Sequence, residues 1–405
     1  MKVWIINPYA NLPSEPWRED RSQVLAMSLA KRGDDVIVWT SNFIHRSKEY
    51  RSNGWMVMDY NERIKFCLLP VPSYTSHISL KRIYFERAFA RQFGVNSVNF
   101  EKPDIIVLAE PALFYSHEII LFIEKFKVSL IVDIIDLWPE LFHTILPKKI
   151  RWLGKYIYLP FYYKRNKLLK KASGIVAVTN NYLELCTRNF PNKPSMVVYW
   201  GTNLANSSHL EIEEKTVKKN DGDFWVLYAG TLGENYDIKS ILKAAHYLKK
   251  DYPYIKFIIL GNGSLREKLI KEIESFDLIN VLFEGSIKQT QLKFYFEKAD
   301  VALSTYVADS TVSMPIKAFD YLDFGIPIIN SLEGDLGCLI RDSYVGIQYE
   351  AENWLCLAKS ILKALNGREE RQQMSENARK LAENFSNTTQ YQRYLTFIDN
   401  IFYDS

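Results

Sequence analysis

The amino-acid sequence predicts an α/β protein with two domains, each containing a parallel sheet covered by helices on both faces. Short apolar runs bounded by turn residues alternate with longer amphipathic stretches along the chain. The length of 405 residues suits two domains or three. An apolar content of 47% and a charged content of 24% are those of a globular protein, so the composition excludes a collagen-like or wholly disordered chain.

The predicted strands form two sets, one in each half of the chain. The first half has apolar runs at 2–7, 35–40, 64–69, 104–108, 130–133, 174–179 and 196–199. The second half has such runs at 225–228, 256–260, 281–284, 301–304 and 327–330. Between strands lie amphipathic stretches such as 22–32, which stops at Gly33. Both halves are therefore expected to be Rossmann-like domains.

The boundary between the domains is predicted where the apolar pattern fades. Residues 201–223 are polar and rich in Asn, Lys and Ser, which indicates a linker. We expect an N-terminal domain over 1–200 and a C-terminal domain over 224–385. The aromatic helical stretch 386–405 is expected to form a final helix that packs back on the N-terminal domain.

Nothing in the sequence predicts a membrane-spanning or secreted chain. The longest apolar candidate is interrupted by Glu110 and Glu118, so it falls short of the ~18 residues that a spanning helix needs. The first apolar run is broken by Pro8, which is too early for a signal peptide. The four cysteines form no CxxC motif, which is typical of buried free thiols in a reducing cytosol. A cytoplasmic location is expected.

The net charge of +4 hides an asymmetry between the two halves. The chain has 51 basic and 47 acidic residues. The first 200 positions hold 28 basic and 18 acidic residues, so the remaining positions hold 23 basic and 29 acidic ones. The first half therefore carries +10 and the second −6. We expect the first half to face an anionic partner.

Residues 147–173 are the strongest basic feature. The stretch contains nine basic residues, no acidic ones and six aromatic residues. This composition is typical of a surface that lies on anionic lipid, where each basic residue contributes ~1 kcal/mol, although nucleic acid is an alternative partner. Residues 79–91 extend the patch. The residues expected to contact the membrane are Lys148, Arg151, Trp152, Lys155, Lys164, Arg165, Lys170 and Lys171.

Two glycine-containing turns in the second half are candidates for phosphate binding. Each follows a predicted strand and precedes a helix, so it lies at the sheet edge where ligands of open α/β sheets bind. The alternative is that glycine only permits a tight turn. The residues of the two turns are Gly230, Thr231, Leu232 and Gly233, and then Gly261, Asn262 and Gly263.

The densest motif is "MPIKAFDYLDFGIP" at 314–327. Pro315 suits the first turn of a helix, which ends at Gly325. Lys317 and Asp320 are three residues apart and share one helix face. They could bind a diphosphate and ribose hydroxyls respectively, or they could form an ordinary helical ion pair.

Polar residues also crowd one predicted strand end in the first half. The segment after 130–132 could hold sugar hydroxyls or accept a proton, or it could be a solvated turn in which Asp136 caps a helix. Its candidates are Asp133, Asp136, Trp138 and Glu140. The long loop at 8–21 supplies Arg18, Glu19 and Arg21, which could reach a ligand or coat the surface. His117 is a candidate acid–base residue or a helix cap.

Several cofactor motifs are absent from the sequence. It has no HExxH, no DxD and no Cys/His cluster with metal-ligand spacing, so no protein-bound metal is expected. No GxGxxG follows the first predicted strand, which argues against a nicotinamide dehydrogenase. No cofactor is expected.

Taken in order, the motifs resemble bacterial glycosyltransferases of family 4, which have the GT-B fold. The similar segments are "LAMSLAKRGDDVIVWT", "LIVDIIDLWPELF", "YAGTLGENYDIKSILKAA", "IILGNGSLREKL" and "MPIKAFDYLDFGIPII". The "DLWPE" segment resembles members that build O-antigen and capsule, including N-acetylfucosamine transferase-like proteins. The resemblance implies two Rossmann-like domains that face each other across a cleft.

The resemblance also implies roles for individual residues. Asp320 matches the second acidic position of the E-x7-E motif and is expected to bind ribose. The first position is Val312 here, with Asp309 as the nearest carboxylate, and Thr231 replaces a diphosphate-binding Arg. Lys317, with Arg266 and Lys239 as further candidates, would then neutralise the leaving diphosphate.

The predicted function is a glycosyltransferase that moves a sugar from a nucleotide-diphosphate donor, expected to be a UDP-sugar, to a lipid-linked saccharide in cell-surface polysaccharide synthesis. The resemblance implies a retaining, metal-independent reaction at the cytoplasmic face of the membrane, with no nucleic-acid partner. The candidate catalytic residues are Lys317, Asp136, Glu140 and His117. Alternatives are a UDP-sugar 2-epimerase-like enzyme or a non-catalytic partner subunit.

Overall fold

The computed structural model of the protein describes residues 1–76, 79–202 and 217–404, with only the backbone at 289 and 290. The chain divides into two compact units. Unit 1 comprises Met1–Tyr199 and Gln390–Ser405, and unit 2 comprises Trp200–Thr389. The stretch predicted as a linker, 201–223, is grouped with unit 2, and its residues 203–216 lie outside the described residues.

Unit 1 is built on an eight-stranded sheet. Its strands are β1 (Lys2–Ile6), β2 (Asp35–Ser41), β3 (Met56–Asp59), β4 (Ile64–Leu69), β5 (Ile105–Glu110), β6 (Ser129–Ile134), β7 (Gly174–Ala177) and β8 (Ser195–Val197). The strand order is β3-β4-β2-β1-β5-β6-β7-β8. All neighbouring strands are parallel except β3, which pairs antiparallel with β4.

Helices connect these strands and cover the sheet. They are α1 (Arg21–Arg32), α2 (Leu80–Asn96), α3 (Ser116–Phe126), α4 (Gly154–Ile157), α5 (Leu159–Lys171) and α6 (Asn180–Thr187). Helix α1 begins where its sequence predicts, because Asp20 and Gln23 form a capping box. It ends at Gly33, whose φ of 106° suits glycine.

The unit 1 sheet is covered on both faces, as the continuous apolar runs predict. On β1, Val3 and Ile5 belong to the core on one face of the sheet. Trp4 packs on the other face against Trp39 and Phe93, with ring centroids 5.1 and 6.1 Å away. The final helix adds Tyr391, Tyr394, Leu395, Phe397, Ile398 and Ile401 to the first of these cores.

Unit 2 is built on a six-stranded parallel sheet. Its strands are β9 (Phe224–Ala229), β10 (Ile255–Leu260), β11 (Val281–Gly285), β12 (Val301–Ser304), β13 (Ile328–Asn330) and β14 (Gly346–Gln348). The strand order β11-β10-β9-β12-β13-β14 is the doubly wound order of a Rossmann fold.

The helices of unit 2 follow its strands in turn. They are α7 (Ile238–Leu248), α8 (Arg266–Ser275), α9 (Gln289–Lys298), α10 (Ile316–Asp323), α11 (Gly334–Ser343), α12 (Trp354–Asn366) and α13 (Arg368–Ala382). The last helix, α14 (Asn387–Tyr403), begins in unit 2, and its residues from Gln390 onward belong to unit 1. Within the described ranges, every helix is too short or too polar to cross a membrane.

The predicted α/β class with two Rossmann-like sheets is confirmed. The sequence-predicted strands omit β3 and β14, because β3 is mostly exposed and β14 has three residues. In each sheet the strand order reverses at one place, between β1 and β5 in unit 1 and between β9 and β12 in unit 2. These switch points are where ligands of open α/β sheets bind, at the carboxyl ends of the strands.

Candidate active site

The two glycine turns of unit 2 pack directly against each other. Leu232 N–H donates to the Asn262 carbonyl at 2.9 Å, and the Leu232 carbonyl accepts from Leu265 N–H at 3.0 Å. Gly230 N–H donates to the Leu260 carbonyl at 2.9 Å. These backbone groups are already hydrogen-bonded within the protein, so the amides of Gly230 and Leu232 are not available to a phosphate.

This packing corrects part of the predicted donor set. Leu232 is fully buried and is a core residue rather than a ligand-binding one. Glycine is required at 261 and 263 by the neighbouring turn, because a Cβ would lie 1.8 Å from the Gly230 carbonyl oxygen at the first position and 2.2 Å from that of Leu232 at the second. At Gly233 a Cβ would make ordinary contacts of 3.8 Å or more.

The Lys317 side chain lies beside the first of these turns. Its Nζ atom is buried and forms no hydrogen bond within the described part of the chain, although the rest of the side chain is partly exposed. Tyrosine rings surround it, with centroids 4.3 Å (Tyr228), 4.8 Å (Tyr306) and 5.3 Å (Tyr236) from Nζ. We call these three residues the tyrosine cage. Burial lowers the pKa of Lys317 to about 7.

The tyrosine cage is located by the topology of unit 2. Tyr228 is on β9, and Tyr306 follows β12, so the two rings come from the two strands that flank the switch point. Tyr236 precedes α7 and lies 4.9 Å from Tyr306. The aromatic faces attract a cation but leave its hydrogen-bond donors unused. An anionic ligand at the switch point would supply the missing acceptor.

Sequence reasoning missed the tyrosine cage. Tyrosine at a strand end is also an ordinary core residue, and no spacing rule relates positions 228, 236 and 306. One sequence signal was available, because Tyr228 lies near the end of a predicted strand and Tyr306 follows another, both at the predicted ligand-binding edge.

Asp320 occupies a different environment from Lys317. It is 6% exposed, and its carboxylate accepts a hydrogen bond from the Thr202 hydroxyl at 3.0 Å. The two residues therefore form no helical ion pair. The role of Asp320 in ribose binding stays a prediction, and the structure gives this carboxylate a partner within the protein.

The remaining predicted donor residues lie at the same carboxyl edge. Thr231 and Asp309 are exposed, and Pro315 directly precedes α10. Arg266 begins α8, with its guanidinium 5.8 Å from the Phe283 ring centroid. Together with Asn262, Gly263, Glu267, Glu284, Gly285 and Ser286, among others, Arg266 lines a polar pocket of about 750 Å³.

In unit 1, two predicted acceptor residues bind each other instead. Arg21 is 1% exposed and forms two hydrogen bonds with Asp133, of 2.7 Å from Nε and 3.0 Å from Nη2. Its remaining amino group donates to the Val198 carbonyl. The predicted acceptor role of Arg21 and Asp133 is therefore wrong, because both charges are consumed by a buried ion pair that joins α1 to β6.

Glu140 and Arg165 form a second such pair. The guanidinium donates two hydrogen bonds to the carboxylate, at 2.6 and 2.8 Å, and one to the Trp138 carbonyl. Arg165 is 4% exposed, so its predicted contact with a membrane is wrong. Glu140 is already neutralised, which argues against its predicted role as a proton acceptor.

Other residues of the predicted acceptor set vary in exposure. Trp138 is 9% exposed, and the Arg82 guanidinium lies 4.6 Å above its ring, so it is mainly a packing residue. Asp136 remains exposed after β6, although nearby protein atoms desolvate it enough to raise its pKa. Arg18 is half-buried and Glu19 is exposed. Asp136 and Glu19 are therefore the predicted acceptor-side carboxylates that are open to a ligand.

Two buried carboxylates were not predicted. Glu86 accepts a hydrogen bond from the Tyr9 hydroxyl at 2.6 Å, and burial raises its pKa to about 7. Glu110 ends β5 without exposed surface, and burial raises its pKa to about 8. Sequence pattern does not reveal such residues, because an acidic residue in an apolar run is ordinarily placed at the surface.

His117 stands apart from these residues. It lies in the first turn of α3, its side chain is 72% exposed, and its ring is 3.6 Å from the Glu118 carboxylate. Its acid–base role stays a prediction. Within the described ranges, no three His, Cys, Asp or Glu side chains are grouped so that they could hold a metal ion.

Comparison with known proteins finds similarity to glycosyltransferases. Residues 211–381, less than half of the chain, match the family model described as "Glycosyl transferases group 1". The Campylobacter jejuni GalNAc-alpha-(1->4)-GalNAc-alpha-(1->3)-diNAcBac-PP-undecaprenol alpha-1,4-N-acetyl-D-galactosaminyltransferase is 28% identical over 185 residues, 45% of this chain and 50% of that protein. The alpha-monoglucosyldiacylglycerol synthase of Acholeplasma laidlawii is 23% identical over 39% of each chain. The matched segments thus span half or less of these relatives.

Solved structures match along the whole chain. Sucrose-phosphate synthase from Thermosynechococcus elongatus has a TM-score of 0.75 at 15% identity, with full coverage of both chains. Anabaena HepE in complex with UDP has a TM-score of 0.67 at 13% identity, and the match covers 99% of this chain and 100% of HepE. WaaG, a glycosyltransferase of lipopolysaccharide biosynthesis, has a TM-score of 0.64 at 16% identity, and the match covers 97% of this chain and 98% of WaaG. At these identities the likeness shows the fold, which is GT-B.

The glycine turns generate a first testable prediction. Gly261→Ala should destabilise the protein by about 1–3 kcal/mol, because its Cβ would overlap the Gly230 carbonyl. Gly233→Ala, in the partner turn, is the matched control and should change stability by about 0.5 kcal/mol or less. Thermal unfolding of both variants measures the difference, and equal losses would contradict the proposed packing.

Lys317 generates a second prediction, on the pH dependence of stability. The pKa of Lys317 rises from about 7 in the folded protein to the ordinary 10.5 on unfolding. Burial of this amine therefore destabilises the folded state most below pH 7. The cost declines as the pH rises from about 7 to 10.5, because the unfolded chain then loses its extra proton. Lys317→Met should therefore unfold at a higher temperature than the wild type at neutral pH.

The control for this prediction is an exposed lysine of the same unit. Lys359→Met, on α12, should show little change at any pH. The stability gained by Lys317→Met should shrink as the pH approaches 10.5. A gain that is constant with pH would show that lost packing or shape, rather than the buried charge, causes the difference.

Proposed function

We propose that the protein is a glycosyltransferase that moves a sugar from a nucleoside-diphosphate donor to a lipid-linked saccharide. The observation that carries this proposal is Lys317, whose buried Nζ lacks a hydrogen-bond acceptor at the switch point of a Rossmann sheet. A diphosphate supplies that acceptor and restores the charged form of the amine. The group 1 match over 211–381 supports glycosyl transfer as the reaction class.

The donor would bind to unit 2. Its diphosphate would lie between Lys317 and the backbone amides of Thr231 and Gly233, and its nucleoside would extend toward Asp320 or the polar pocket at Arg266. UDP is our choice of nucleotide, because HepE, a structural neighbour, is described in complex with both UDP and UDP-glucose. The proposed donor is therefore a UDP-sugar.

The transfer would be retaining and would need no side-chain nucleophile. The acceptor hydroxyl oxygen forms a bond to the anomeric carbon on the face from which the diphosphate departs. The bond from that carbon to the diphosphate oxygen breaks, and this oxygen takes the hydroxyl proton. Lys317 stabilises the charge that develops on the diphosphate, which is a contribution specific to the transition state. In this scheme no protein-bound metal is required.

The acceptor would bind to unit 1, and a lipid-linked saccharide suits its composition. Six residues of the predicted membrane set are exposed: Lys148, Trp152, Lys155, Lys164, Lys170 and Lys171. Arg151 and Lys171 bind within the protein, to the Thr144 carbonyl and the Glu124 carboxylate. The Campylobacter and Acholeplasma relatives are named for a lipid-linked saccharide and a glycolipid. We therefore place the enzyme at the cytoplasmic face of a membrane, in cell-surface polysaccharide synthesis.

The proposal is tested by nucleotide binding and product release. Among UDP, GDP, ADP, dTDP and CMP, UDP should raise the unfolding temperature most, with ~2.7 kcal/mol of stabilisation at 100 times its dissociation constant. Lys317→Met should weaken UDP binding about 10- to 150-fold, because a hydrogen bond to a charged group contributes ~1.5–3 kcal/mol. The measurement is isothermal titration calorimetry.

Lys359→Met, at an exposed position on α12, is the control and should bind UDP like the wild type. Asp320→Asn should reduce turnover if this carboxylate also contacts ribose. Failure of every nucleoside diphosphate to bind would contradict the proposal and favour a non-catalytic partner subunit. Binding without release of free UDP during turnover would favour an epimerase-like reaction instead.

A further inference from the structure

A groove crosses unit 1 between α2, α3 and α5. Its volume is about 920 Å³, and its apolar floor includes Leu113, Phe114, Leu159 and Pro160. Leu159 and Tyr163, which both line the groove, are 60% and 71% exposed, so a patch of apolar surface is open to solvent there. The two basic segments found in the sequence, 79–91 and 147–173, thus meet along one apolar trough.

Four cations line the same groove. Arg87 and Arg91 come from α2, and Lys164 and Lys167 come from α5. All four are exposed, and none forms an ion pair within the part of the chain that the structure describes. Among the described lining residues, Glu118 is the only carboxylate, and it lies 3.6 Å from His117. The lining therefore carries an excess of positive charge over an apolar surface.

Arg87 and Lys164 are the central pair of this group. The Lys164 Nζ lies 5.1 Å from the centroid of the Phe114 ring, so its ammonium is held over the apolar floor. Desolvation lowers the pKa of Lys164, and the charge of Arg87 lowers it further. The two cations repel each other, and a bound anion between them would relieve that repulsion.

The groove opens at the carboxyl edge of the sheet. Leu113 and Phe114 directly follow β5, and the amino-terminal half of α5 lies at this edge because α5 runs down to the start of β7. Exposed Asp136, at the end of β6, lies on the same edge. A ligand seated in the groove would therefore lie on the side of unit 1 where the acceptor sugar is expected.

We propose that this groove binds the phosphate-bearing lipid of the acceptor, with the lipid chain on the apolar floor and the phosphate between Arg87 and Lys164. The inference rests on the proposed function, which it deepens by assigning a site to the acceptor lipid. The aromatic residues Phe114, Tyr162 and Tyr163 also line the groove, but aliphatic residues outnumber them, which favours a lipid chain over the stacked bases of a polynucleotide.

The site differs from a diffuse basic surface in one testable respect. A diffuse surface responds to total charge, so it binds any vesicle of equal charge equally. The groove should prefer an anionic lipid whose phosphate is joined directly to a slender chain. Phosphatidylcholine vesicles that contain polyprenyl phosphate should therefore bind the protein more tightly than vesicles of equal surface charge that contain phosphatidylglycerol.

Co-sedimentation of the full chain with the two vesicle types measures this preference. Arg87→Ala combined with Lys164→Ala should reduce binding to polyprenyl phosphate vesicles about 10- to 30-fold, because each basic residue contributes ~1 kcal/mol near an anionic lipid surface. The control pair, Lys31→Ala with Lys102→Ala, removes the same charge from exposed sites of unit 1 outside the groove and should retain the preference. Soluble farnesyl phosphate should compete, and inorganic phosphate should not.

Equal losses for the two double variants on both vesicle types would overturn the proposal, as would a wild type with no preference for polyprenyl phosphate. UDP binding by the same preparations separates this result from the proposed function. If UDP binds and the lipid preference is absent, only the groove assignment fails. If the preference is present and no nucleoside diphosphate binds, the proposed transferase fails and the lipid site remains.

Discussion

The donor site depends on one electrostatic constraint, which is the burial of the Lys317 amine without a hydrogen-bond acceptor. Three tyrosine rings offer it aromatic faces at 4.3 to 5.3 Å and no carboxylate binds it in the described part of the chain, so burial lowers its pKa to about 7. A protein gains no stability from such an arrangement. The unpaired amine lies at the switch point of the sheet. Ligand binding there explains a loss of stability that folding alone does not explain.

In unit 1, by contrast with Lys317, the buried cations have carboxylate partners. Arg21 and Arg165 are buried, and each binds a carboxylate through two hydrogen bonds. These pairs consume charges that the sequence presents as ligand-binding candidates. In the described part of the chain, Arg87 and Lys164 of the groove form no ion pair. Where a charge has a partner in the protein it holds the fold together, and where it has none it is available to a ligand.

The fold was largely predictable because its central strands are continuous apolar runs. Strand β5, for example, is buried at every position, and its pattern is unmistakable, whereas β3 has an exposed edge and gave no signal. The site was less predictable, because its contacts join residues that are far apart in the sequence. Arg21 and Asp133 are 112 residues apart, and no local pattern indicates that they form a pair. Lys317 was singled out by its position in the 314–327 motif, and the family resemblance implied its role, but its tyrosine surroundings required the structure.

The central claim is that Lys317 lacks a charge partner until a diphosphate binds. An NMR titration of the Lys317 side chain, assigned with a Lys317→Arg variant, measures this directly in the free protein and in the presence of UDP. The free protein should titrate near pH 7, and saturating UDP should move the midpoint upward, toward the ordinary lysine value of 10.5. A midpoint near 10.5 in the free protein, or one that UDP does not change, would contradict the claim.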